Sequence, residues 1–262
     1  MIAIMTDFGT WDASVASMKG VIKSINPSVE LVDISHDISE FSIREGAFVL
    51  NRCYSYFPKG TIFLCVVDPG VGSKRRAIVL KSNDYYFVAP DNGLLSYIVE
   101  DSKSIKVYNI TNPKYMLADI SSTFHGRDIF APTAAYLSLG IDISSFGEEL
   151  KDIIIFSISI AKEINNNEIE GEIIFFDQYG NAYTNIKKEL FKSKFTSGFY
   201  EVYINDTNIN KFKMSTCFTD VEIGCELIYF GSSNLLELAK NSKSLQNQYL
   251  LKLGDKIKLI KV

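Results

Sequence analysis

The chain of 262 residues is 47% hydrophobic and 22% charged, the balance of a folded globular protein and not of a disordered or fibrous one. Its formal net charge of -4 offers no overall positive field to phosphates or anionic lipid, so neither a nucleic acid partner nor a membrane partner is expected. Apolar runs such as residues 62–67 fall far short of the ~20 residues needed to span a bilayer, and no Lys or Arg precedes Lys19 to make the charged leader of a secretory signal, so a cytoplasmic location is expected.

In chain order, residues 2–5 read as a strand, and Val15, Met18, Ile22 and Ile25 share one helical face. Strands follow near Leu31 and at residues 62–67. This alternation predicts a mainly parallel α/β sheet domain over residues 1–160. The polar run 162–168, rich in asparagine, is the predicted linker, taken as 161–168. Beyond it, strand-like segments at 169–176, 199–204, 225–230 and 256–262 predict a smaller antiparallel β-barrel domain over residues 169–262. Residues 235–239 carry a short helical periodicity of one or two turns.

Cys53, Cys65, Cys217 and Cys225 form no Cys-x-x-Cys pair and are read as reduced core thiols. With His36 and His125 as the only histidines, a site needing three imidazoles is impossible, and no metal or cofactor is expected.

Ligands of open α/β sheets gather at the carboxyl ends of the strands. Three segments qualify. Thr6-Asp7-Phe8-Gly9-Thr10 follows the first strand, and Asp7 is either a turn or capping residue or a site acid. In Val67-Asp68-Pro69-Gly70-Val71-Gly72-Ser73-Lys74-Arg75-Arg76 the glycines and proline fix a tight loop that can bring Asp68 to Arg75, as a structural salt bridge or as part of a site. This loop lacks the Walker spacing for phosphate binding. In Thr123-Phe124-His125-Gly126-Arg127-Asp128, His125 sits in a loop and is a functional candidate, whereas Asp128 reads as the N-cap of a helix whose first turn accommodates Pro132. His36, after another strand, reads as structural.

Together these segments, with Met18-Lys19-Gly20-Val21-Ile22, Ala89-Pro90-Asp91-Asn92-Gly93-Leu94-Leu95, Tyr179-Gly180-Asn181, Thr184-Asn185, Gly231-Ser232-Ser233 and Leu236-Glu237-Leu238-Ala239, resemble the S-adenosylmethionine hydroxide adenosyltransferase family over nearly the whole chain. Its members split S-adenosylmethionine into adenosine and methionine and are relatives of the bacterial fluorinase and chlorinase. The resemblance implies an α/β N-terminal domain, a C-terminal β-barrel, and a homotrimer with the ligand at the subunit interface. It implies that Asp68, Arg75 and His125 handle water, that Asp7 and Phe8 hold the nucleoside, and that Asp12 and Ser14 sit near the methionine end. From the barrel, Tyr179 and Asn181 would meet the adenine side and Ser232 would reach the ligand. Ser14, where members often carry tyrosine, is a feature of the halogenating relatives, while Asn234-Leu235 replaces the usual Gly-Tyr, with Asn tolerating the left-handed backbone that glycine would supply. Against a halogenase, residues 76–92 lack the insertion those relatives carry. The alternatives are a halide-dependent adenosyltransferase and a sensor that binds S-adenosylmethionine or adenosine without turnover.

Overall fold

Strand β1 (Ile2–Thr6) and strand β3 (Ile62–Val66) are buried along their whole length, and their side chains alternate between two apolar layers. Ile2, Ile4, Ile62 and Leu64 face one core, while Ala3, Met5, Phe63 and Cys65 face the other. A strand buried on both faces needs a helical layer on each side. On the first face lie α1 (Ser14–Ile25), through Met18 and Ile22, and α4 (Ala131–Ser138), through Ala134 and Leu137. On the second lie α2 (Ile43–Cys53), through Ala47 and Leu50, and α3 (Ser96–Glu100), through Ile98.

This computed structural model describes residues 1–192 and 197–262, which divide into two compact units, Met1–Phe156 and Ser157–Val262. The first is completed by β2 (Leu31–Ser35), β4 (Ala77–Ser82), β5 (Tyr85–Pro90), β6 (Ile105–Asn109) and β7 (Glu149–Leu150). Its sheet has the order β2-β1-β3-β5-β4-β6-β7. β2, β1, β3 and β5 are mutually parallel, and β4, β6 and β7 extend the sheet in antiparallel register.

The second unit contains β8 (Lys162–Asn165), β9 (Glu168–Phe176), β10 (Ala182–Lys187), α5 (Lys188–Lys192), β11 (Phe199–Ile204), β12 (Thr207–Met214), β13 (Glu226–Phe230), β14 (Leu235–Lys240), α6 (Leu245–Tyr249) and β15 (Lys256–Lys261). Seven strands run in the order β10-β14-β13-β12-β11-β15-β9, and the pairing of β9 with β10 closes them into a barrel, with β8 attached outside β9. Every pairing is antiparallel except β12 with β13. Ile169, Tyr200, Val202, Phe212, Leu236, Leu238 and Leu259 fill its core.

Three expectations are corrected. Residues 162–168 are not a linker: β8 pairs with β9 through the intervening asparagines, which supply the turn of an exposed hairpin, and the units divide at Phe156 and Ser157. Residues 235–239 are not helical but form β14, where Leu236 to Ala239 are all buried, so burial on both faces hides the two-residue period. Of the cysteines, all free, only Cys65 is a core thiol, and its burial pushes it well above the ordinary thiol range; Cys53 is half-buried, and Cys217 and Cys225 are exposed.

Candidate active site

Strand order fixes where the site can be. β1 lies between β2 and β3, so the chain leaves β1 toward one edge and returns on its other side, and the loops after β1 and β3 diverge from that switch point. Asp7 follows β1 and Asp68 follows β3 closely, which places two acids at the carboxyl ends of adjacent parallel strands.

The loop after β3 is folded by its own short contacts. Val71 N donates to Asp68 O, Ser73 N to Gly70 O and Arg75 N to Ser73 Oγ. Arg75 is thereby turned back on Asp68: its Nε lies 2.9 Å from both carboxylate oxygens, and its Nη2 is 2.5 Å from Oδ2. Both side chains are nearly inaccessible, 9% exposed for Arg75 and 4% for Asp68. The other hydrogen of Nη2 points to His125 Nδ1, 2.7 Å away. One guanidinium nitrogen therefore bridges a carboxylate and an imidazole. The face of the Phe130 ring lies 5.1 Å from the guanidinium carbon.

A guanidinium can only donate, so His125 Nδ1 accepts and the ring's proton resides on Nε2. Burial and the Arg75 charge hold the His125 pKa below the ordinary histidine value, against the opposing pull of Asp68 and Asp128. The result is a neutral imidazole with a single N–H still to offer.

His125 is placed by the stretch Gly126–Phe130, one π-helical turn that runs into α4 with Pro132 in its first turn. Asp128 does not cap that helix: fully buried, it accepts from Ser121 N at 2.8 Å and from Arg127 Nε at 2.6 Å, and so ties the loop before His125 to the turn after it. Gly126 is packed among Met18, Phe8 and Phe124, and Phe8 meets Phe124 edge to face, with ring centroids 5.9 Å apart. The two site loops meet at Gly72, whose φ is +76° and whose notional Cβ would lie 2.2 Å from Ser122 O.

Asp7 is half-buried. Its Oδ2 accepts from Phe41 N at 2.9 Å, and Phe41 takes a left-handed φ of 62° while leaving its ring exposed. Burial raises the Asp7 pKa, the Phe41 hydrogen bond works against that, and the negative charges of Asp68 and Glu40 add to the rise. Asp12 and Ser14 hold each other at the start of α1, with Ser14 N 2.8 Å from Asp12 Oδ1 and Ser14 Oγ 3.0 Å from Oδ2. Trp11 lies between them and Asp7 and is 90% exposed. His36 is buried behind this loop, as a structural residue would be.

In the barrel unit, Asp177 organises the turn after β9, its carboxylate accepting from Tyr179 N, Asn181 N and Asn181 Nδ2 at 2.9 to 3.0 Å. Tyr179 is exposed and Asn181 buried. Both line a cleft of about 630 Å³ with Phe218, Tyr229, Lys240 and Ser244. Ser232 is exposed in the turn before β14, and Asn234 has a φ of 57°, so asparagine adopts the left-handed conformation expected of it. Sequence reasoning misses Phe41 and Ser122 because each acts through its backbone, which leaves no side-chain signature. Gly72 was visible within its motif, although its close approach to Ser122 was not.

Among the described residues, no group of three His, Cys, Asp or Glu is placed to hold a metal ion, and no helix is long and apolar enough to cross a membrane.

Comparison with known proteins adds four findings. The chain matches the family model for the SAM hydroxide adenosyltransferase N-terminal domain over residues 2–147 and that for the C-terminal domain over residues 171–258. It is 32% identical to an (R)-S-adenosyl-L-methionine hydrolase of Thermus thermophilus over 266 aligned positions, covering 99% of each chain. A fluorinase of Actinoplanes is 29% identical over 283 positions, covering 97% of this chain and 95% of its own. The crystal structure of an uncharacterized conserved protein from Thermotoga maritima superposes with a TM-score of 0.94 at 36% identity, covering 100% of both chains.

Proposed function

The chain belongs to the SAM hydroxide adenosyltransferase family, and from that premise we propose that it hydrolyses S-adenosyl-L-methionine to adenosine and L-methionine by attack of water on C5′ of the ribose. The observation that carries this reading is the bridging of Asp68 and His125 by Arg75 at the carboxyl end of β3.

The sulfonium departs as a neutral thioether and needs no general acid. The nucleophile is the difficulty, since forming hydroxide at pH 7 from water of pKa ~15.7 costs about 12 kcal/mol. Asp68 accepts the proton as water attacks, His125 Nε2–H donates to the developing hydroxide, and the electron pair of the C5′–S bond leaves with sulfur. Arg75 directs Nε and Nη2 at Asp68 and His125, so its part is to fix both of them and to keep His125 in the donating tautomer. The proton then passes to solvent.

Asp7 takes the ribose hydroxyls, Phe8 packs beside the nucleoside, and Asp12 and Ser14 serve the methionine end. From the barrel, Tyr179 and Asn181 serve the adenine and Ser232 completes the grip. Holding C5′ in line with the water is the part that positioning supplies. In this reading the working enzyme uses no cofactor and is a cytoplasmic homotrimer with the ligand between subunits; a monomeric mass by light scattering would count against the shared site.

A second reading, halide-dependent adenosyl transfer, is favoured by Ser14 and by the similarity to a fluorinase. Against it, the fluorinase alignment extends over 283 positions, well beyond the length of this chain, whereas the hydrolase alignment takes 266. Incubation with S-adenosylmethionine in ¹⁸O-water, with and without chloride or fluoride, separates the outcomes by mass spectrometry. Label in adenosine alone is expected. Methylthioadenosine or labelled homoserine overturns attack at C5′, a 5′-halo-adenosine supports the second reading, and binding without turnover makes the protein a sensor.

A further inference from the structure

Beneath the Asp7 loop, a line of polar groups runs from the surface into the sheet. Lys19 Nζ lies 2.6 Å from Asp33 Oδ2, and Asp33 Oδ1 lies 3.1 Å from His36 Nε2, within ion-pair distance but outside hydrogen-bond alignment. His36 Nδ1 is 2.9 Å from Thr6 Oγ1, and that oxygen accepts from Phe8 N at 3.3 Å. His36 O also accepts from Gly9 N at 2.8 Å. Thr6 is fully buried and His36 is 5% exposed, while Asp33 and Lys19 reach solvent.

The chemistry of each group orders the line. A carboxylate only accepts, so the tautomer that suits Asp33 has its proton on Nε2 and a lone pair at Nδ1. The Thr6 hydroxyl then donates to Nδ1, and its oxygen is left to accept from Phe8 N. Carboxylate, imidazole and hydroxyl stand in the order of a nucleophilic triad, but Thr6 has no access to a substrate, so the group acts on the loop instead of on a bond. Its two contacts hold the amides of Phe8 and Gly9, the residues immediately after Asp7.

We propose that Asp33, His36 and Thr6 form a positioning relay that presets the Asp7-Phe8-Gly9 loop for the nucleoside. The inference rests on the proposed function, in which Asp7 and Phe8 hold that part of the substrate. A relay of this kind affects binding and leaves the water-handling group alone.

Two substitutions at one position separate positioning from plain stability. Thr6→Val keeps the shape and removes the hydroxyl, whereas Thr6→Ser keeps the hydroxyl and opens a methyl-sized cavity. With the wild type releasing methionine from S-adenosylmethionine, Thr6→Val should raise KM about tenfold with kcat within twofold. Thr6→Ser should keep KM within twofold although its Tm falls further. If KM follows Tm across the pair, the relay is only structural and the proposal is overturned. Asp33→Ala, altered at the solvent end and expected to fold, should raise KM in the same direction; an unchanged KM there also counts against the relay. Hydrogen–deuterium exchange of the peptide over residues 7–12 gives a readout without substrate. Faster exchange in Thr6→Val and Asp33→Ala is expected, and wild-type exchange in both overturns the relay. Should the wild type release no methionine, the proposed function falls, and the exchange result still decides the relay.

Discussion

In the α/β unit, Arg75 joins Asp68 to His125, 50 residues further on, so the arrangement exists only when β3, its loop and the turn before α4 are all in place. In the barrel, Tyr179 and Asn181 are set by Asp177 within a single turn of chain. One unit needs its whole fold to make a charged group, while the other presents neutral side chains on a locally built turn beside a cleft. Under the proposed function, bond making belongs with the first, which is dry, fixed and polar, and recognition of the ligand's flat and uncharged parts belongs with the second.

Four experiments would break or sharpen that division. Asp68→Asn preserves shape while removing the proton acceptor, so kcat should fall about 10²–10⁴-fold with substrate affinity by calorimetry nearly unchanged. Wild-type turnover in this variant would remove the chemistry from the α/β unit. Gly72→Ala places a methyl against Ser122 O from a left-handed backbone, and chemical denaturation should show a loss of about 2–3 kcal/mol. Unaltered stability would mean the two site loops are not packed together as described.

Asn181→Ala should raise KM about tenfold, a cost of roughly 1.4 kcal/mol, and leave kcat within twofold. A fall in kcat like that of Asp68→Asn would end the separation of roles. The smallest effect expected is that of pH. Because the His125 pKa is lowered, kcat should be flat from neutral pH upward and decline only below the ordinary value of ~6.5, as Nδ1 takes a proton in place of the Arg75 hydrogen bond. Stability follows the same sign: the unfolded chain takes the proton first, so the folded state loses ground as pH falls through ~6.5. With His36 the only other histidine, NMR titration can assign both, and a His125 midpoint above ~6.5 would contradict the geometry.

The comparison also shows what a sequence conceals. The site loops were legible because glycine and proline mark them and because they follow apolar strands. The bridge from Arg75 to His125 was not legible, since nothing local ties residues 50 apart. That Arg75 Nε and Nη2 are directed at Asp68 and His125 was equally hidden, because it depends on how the loop after β3 folds back on itself. Asp128 has the residue type of an N-cap, but its burial and its contacts with Ser121 and Arg127 decide its role. In the barrel, alternation was readable where one face of a strand is wet, as in β11, and lost in β14, where both faces are covered. The asparagine run suggested a break in the chain because polar turn residues look alike in a linker and in a hairpin.

The closure of the barrel governs the order in which the protein can be completed. β15 pairs with both β9 and β11, strands laid down well before it. While the chain is being synthesised, those two strands wait with an edge unpaired until residues 256–261 emerge, whereas every strand of the α/β sheet has by then left the ribosome. The unit assigned to chemistry can therefore be folded while the unit assigned to recognition is still open. Loss of the β15 strand would leave a barrel that cannot shut, joined to an α/β unit that keeps its own core.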